Sequence, residues 1–64
     1  MKKYIGEIVR KRRQELNINQ QTLADLSGVG INTLVAVERG SGNPSIDTLE
    51  KLFSTLGLTI VLEH

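Results

Sequence analysis

Apolar positions recur at helical spacing along most of the chain, and the pattern changes to alternation only near its end. Ile5, Ile8, Val9 and Leu16, with Arg and Lys between them, predict a first helix over residues 4–16. Asn17 suits the left-handed residue that closes such a helix. Asn19 then caps a second helix over residues 20–27, with Leu23 and Leu26 facing inward beside the small Ala24. Gly28 ends it, because glycine reaches positive φ without steric cost. A third helix is expected over residues 31–38, with Gly30 as N-cap and Leu34 and Val37 as its inward pair. Gly40 closes it, and Ser41-Gly42-Asn43-Pro44 has the chemistry of a loop. Ser45 caps a fourth helix whose buried stripe is Ile46, Leu49, Leu52, Phe53 and Leu56. Tyr4 is expected to pack.

The tail has a different character. Thr59, Ile60 and Val61 are β-branched and favour extended structure. Leu58, Ile60 and Leu62 would share one face of a strand. Leu62-Glu63-His64 also matches the start of a purification tag, so Leu62 carries less weight than Ile60.

Composition narrows the function classes. A chain of 64 residues buries only about 60% of its unfolded surface, so it is marginal alone. It has no cysteine and one histidine, at the end, which removes disulfides and the common metal sites. No cofactor is expected. No nucleophile–base constellation and no metal-holding acidic pair is evident, so an enzyme is not expected. No signal peptide or membrane span is apparent, and a cytoplasmic location in a prokaryotic cell or phage-infected host is expected. Added stability should come from regular helix packing or from a second copy of the chain.

Net charge is +1, but six of the eight basic side chains lie in residues 1–13. They are Lys2, Lys3, Arg10, Lys11, Arg12 and Arg13, with Glu7 the single acid among them. This end suits an anionic partner, although a solvated helix face would look the same.

Two short helices joined by Gly28-Val29-Gly30 have the form of a helix-turn-helix, with the motif at about residues 20–39. Gln20-Gln21-Thr22-Leu23-Ala24-Asp25-Leu26-Ser27-Gly28-Val29, then Thr33-Leu34, Val37-Glu38-Arg39-Gly40 and Asn43-Pro44-Ser45, resembles the XRE family of Cro and CI-type repressors. The resemblance covers residues from about 8 to 56. It implies an all-α, four-helix, lambda-repressor-like DNA-binding domain over residues 1–57, to which the pattern adds the short C-terminal β-strand within residues 58–64.

The resemblance also implies roles. Gln20, at a helix N-terminus, would touch the DNA backbone. The third helix would read bases through Ile31, Asn32 and Ala36, with Val35 close by and Gly30 at its start. Gln21, Thr33, Arg39, Ser41, Asn43, Arg10 and Arg12 complete the expected contact set. Lys11 is a further candidate for phosphate. Arg13 and Glu38 match a structural ion pair. Among these base-reading positions Asn32 alone can make a bidentate base contact, and its natural partner is adenine; Ile31 and Ala36 suit thymine methyls. The expected target is therefore double-stranded DNA, a palindromic operator with A·T-biased half-sites.

The tail resembles the end of HipB-like antitoxins. That likeness implies a homodimer joined through Leu58, Ile60, Val61 and Leu62, and a cognate toxin as a further partner. The expected function is a homodimeric transcriptional repressor. The alternative is a protein-interaction module on a degenerate helix-turn-helix, since a fold alone does not establish function.

Overall fold

The computed structural model describes residues 2–60. Four helices follow in chain order: α1 Lys2–Glu15, α2 Gln20–Ser27, α3 Ile31–Arg39 and α4 Ile46–Thr55. The described residues are all-α, as the resemblance implied. Among the described residues no helix is long and apolar enough to cross a membrane.

Local chemistry sets the helix ends. Asn17 takes the left-handed conformation, with φ 58°. Asn19 accepts a hydrogen bond from the Thr22 N–H at 2.8 Å, and Ser45 one from the Thr48 N–H at 3.1 Å. Each satisfies a donor that the first helical turn leaves unpaired. Asn19→Ala is expected to lower stability by about 1 kcal/mol in urea unfolding; an unchanged midpoint would show that water replaces the cap without loss. Gly28 turns the chain at φ 74°, with its N–H on the Ala24 carbonyl.

The core is Val9, Leu23, Ala24, Val29, Leu34, Val37, Leu49, Leu52 and Leu56. Helix α1 packs on α3, and α2 lies against both α3 and α4. One crossing is exceptionally close. A methyl group on Gly6 would overlap the Val37 carbonyl oxygen and lie 2.9 Å from that of Glu38. Only a residue without a side chain lets the two backbones meet there.

Four apolar residues expected inside lie largely outside: Tyr4, Leu16, Leu26 and Ile46 are 65%, 40%, 66% and 51% exposed. Helical geometry explains each. On α2 the buried face is centred between Leu23 and Ala24, and at roughly 100° per residue Leu26 stands about 110° away from it. Tyr4 lies nearly opposite Val9 on α1. Leu16 follows the last residue of α1. Ile46 sits about 80° from the Leu49–Leu52–Leu56 line in the first turn of α4.

The expected C-terminal strand is not observed in the described residues: Leu58, Thr59 and Ile60 form no strand. Leu58 and Ile60 instead lie half-buried against the core. A strand requires a neighbour to complete its hydrogen-bond ladder, and none is present among the described residues. Val61 and Leu62 lie outside the described residues.

Candidate nucleic-acid interface

The α2–turn–α3 unit presents one face of α3 outward. Leu34, Val37 and Glu38 form its buried side. Asn32 and Thr33 are exposed, while Ile31, Val35 and Ala36 are half-buried at the margins. Gly30, the N-cap, is extended and offers no side-chain cap.

On one flank of α3, a groove of about 330 Å³ separates the helix from the loop that follows it. Asn32, Thr33 and Ala36 line one wall, and Ser41, Gly42, Asn43 and Pro44 the other. Ser41 is anchored back on α3 by its N–H, 2.9 Å from the Ala36 carbonyl oxygen. The loop is thereby held beside Asn32.

On the other flank, Arg10, Arg13, Gln20, Val35, Glu38 and Arg39 surround a second groove of about 440 Å³. At its base, the Arg13 guanidinium grips Glu38 in a fork, with Nε to Oε2 at 2.8 Å and Nη2 to Oε1 at 2.9 Å. The third arm, Nη1, donates to the Ile18 carbonyl at 3.0 Å. The hydrogen bond to Glu38 raises the Arg13 pKa above its ordinary value, outweighing the opposing effect of burial. The side chains are 12% and 4% exposed, so the pair is largely removed from water. Such a pair is worth most when its remaining donors and acceptors are satisfied, and here each guanidinium nitrogen of Arg13 donates at least one hydrogen bond.

Gln20 joins the same network. Its Nε2 donates to Glu38 Oε1 at 3.2 Å. An amide carries two N–H donors, so Glu38 orients Gln20 while one donor stays available at the N-terminus of α2. Arg10 and Arg39 are exposed and pair with no acid among the described residues. The groove thus combines two open cations, an amide and a helix N-terminus, a combination suited to a phosphodiester.

Two residues of the expected set sit differently. Gln21 Nε2 donates to Asp25 Oδ1 at 2.9 Å along the exposed side of α2. Arg12 is not in either groove. Its Nε donates to the Leu56 carbonyl at the end of α4, 3.0 Å away. It stands about 160° around α1 from Arg10, so the two cannot line one groove. Sequence reasoning missed this contact, the Gln20–Glu38 link and Gly6. Only Gly6 left a signal, since a glycine within a helical pattern is unfavourable unless packing requires it.

Two helices crossing at a glycine turn, with the second exposed along one side between polar grooves, define a helix-turn-helix domain. The chain belongs to the XRE-type helix-turn-helix family, whose model (Helix-turn-helix) matches residues 9–62. It is 40% identical over 52 residues to the cryptic phage CTXphi transcriptional repressor RstR of Vibrio cholerae, covering 81% of this chain and 47% of that protein. It is 37% identical over 54 residues to the HTH-type transcriptional regulator DdrOP3 of Deinococcus deserti, covering 84% and 42%. It is 38% identical over 56 residues to the HTH-type transcriptional regulator y4mF of Sinorhizobium fredii, covering 88% and 74%. The chain spans about half the length of the first two.

Proposed function

We propose that this protein is a sequence-specific double-stranded DNA-binding transcriptional repressor. The observation that carries the reading is the exposed face of α3, Asn32 and Thr33, set beside a groove with Arg10, Arg39 and Gln20. In this reading α3 enters the major groove. Asn32 reads adenine, Ile31 and Ala36 meet thymine methyls, and Val35 lies at the margin. Arg10, Arg39, Gln20, Thr33, Ser41 and Asn43 hold the sugar–phosphate backbone. The operator is an A·T-biased palindrome.

Its symmetry calls for two copies. The face offered is Phe53, Leu58 and Ile60, which with Glu50, Ser54 and Thr59 line a groove of about 310 Å³. A more specific form is an antitoxin acting with a cognate toxin, supported by the sequence likeness of the tail. The protein-interaction alternative draws on Leu26, 66% exposed on α2.

A fluorescence titration on A·T-rich palindromes at two salt concentrations tests the reading. Arg39→Ala should weaken binding on all sequences alike and reduce the salt slope by about one. Asn32→Ala should instead cost about 1–3 kcal/mol at one adenine and relax specificity there. Binding that depends on neither salt nor sequence would reject the repressor and favour the interaction module.

A further inference from the structure

The basic first helix has two working edges. Arg10 and Arg13 lie on the edge that borders α3 and Gln20. Arg12 lies on the other, with its Nε on the Leu56 carbonyl. Leu56 is the C-cap of α4 and is buried. Carbonyls at a helix C-terminus lack intrahelical partners and carry partial negative charge. A guanidinium holds its donors in a rigid plane, so it sets the direction of the carbonyl as well as balancing its charge. Glu15 braces the same guanidinium, Nη1 to Oε1 at 3.5 Å.

The chain changes course at this point. Gly57 follows at φ 72°, and Arg12 Nη2 lies 3.8 Å from where a Gly57 Cβ would stand. The Leu58 N–H then returns to the Phe53 carbonyl at 2.8 Å. Leu58 and Ile60 come to rest on the core beside Phe53. Arg12 therefore touches the hinge between α4 and the segment that a second copy would meet.

We propose that Arg12 is a positioning residue for self-association: by locking the carbonyl end of α4 it fixes the direction in which the chain leaves toward Leu58 and Ile60. This rests on the homodimer reading above. It also assigns Arg12 a role other than phosphate binding, because the contact lies on the far side of α1 from the Arg10–Arg39 groove.

The test compares the intact protein with Arg12→Gln and Arg12→Lys. Circular dichroism first establishes that each is folded; sedimentation equilibrium, backbone amide NMR shifts and the salt slope of DNA binding are then measured. Arg12→Gln should displace the amides of Leu56 to Ile60. It should raise the dimer dissociation constant about tenfold, the scale of one charge-assisted hydrogen bond. The salt slope should stay unchanged. Arg12→Lys, which keeps a charged donor but not the fork, should fall between. A salt slope reduced by about one, with those amides unmoved, would make Arg12 a phosphate contact and overturn the proposal. A wild-type dimer whose constant is unaltered by Arg12→Gln would overturn it equally. A wild-type chain that stays monomeric would defeat the homodimer reading itself, a result seen without any variant.

Discussion

Gly6→Ala should unfold the domain roughly 4–16 °C earlier than the wild type, against the usual preference for alanine in a helix. Alanine is favoured over glycine by about 1 kcal/mol within a helix, so propensity alone predicts stabilisation. Packing predicts the reverse. The added methyl would overlap the Val37 carbonyl oxygen and crowd that of Glu38. These are backbone atoms, so no side-chain rotation relieves the clash; α1 and α3 must separate. Overpacking a tight contact costs about 1–3 kcal/mol or more. In a domain this small each kcal/mol moves the midpoint by about 4–8 °C. Separation would also tilt α1, which carries Arg10 and Arg13, away from the groove it shares with Arg39. Melting followed by circular dichroism decides the matter, and a midpoint at or above the wild-type value would reject the close crossing.

Glu38→Ala should have a larger effect, for an electrostatic reason. The Glu38 carboxylate receives two arms of Arg13 and the amide of Gln20. Removing it leaves a mostly buried guanidinium with only the Ile18 carbonyl as partner. Breaking one half of a buried pair costs about 3–5 kcal/mol, whereas replacing both halves with apolar groups of similar volume is often neutral. The double variant Arg13→Met, Glu38→Met should therefore be more stable than Glu38→Ala. DNA binding should separate from stability, since the double variant also loses the group that orients Gln20. A double-mutant cycle in urea unfolding gives the coupling energy; additive losses would mean that the two charges act independently.

The contrast between these residues shows what was legible in advance. Leu23, Ala24, Leu34, Val37, Leu49 and Leu52 announce themselves by spacing, because a helix that buries one face must repeat its apolar residues at that period. Asn17, Asn19, Gly28 and Ser45 mark helix ends through local backbone chemistry that needs no distant partner. Leu26 and Ile46 satisfy the same period and are exposed. Periodicity finds a stripe; the stripe's centre depends on which neighbours press on the helix and from where. Arg12 and Arg13 are adjacent and chemically identical, yet one holds the end of α4 and the other holds Glu38. A step of about 100° on α1 separates their tasks; the family resemblance implied the Arg13–Glu38 pair, whereas periodicity does not say that the end of α4 waits beside Arg12.

The Leu58–Ile60 segment marks a different boundary. Its residues favour extended structure, but a strand is a property of a pair, and among the described residues no second strand lies beside it. The sequence by itself determined the four helices, the caps at Asn17, Asn19, Gly28 and Ser45, and the glycine turn between α2 and α3. Each of those depends on interactions within a few residues. Tertiary structure alone decided the Gly6 crossing, the Gln20–Glu38 link, the placement of Arg12 and the two grooves beside α3. Those depend on contacts between residues up to 44 positions apart, made only after the helices have packed.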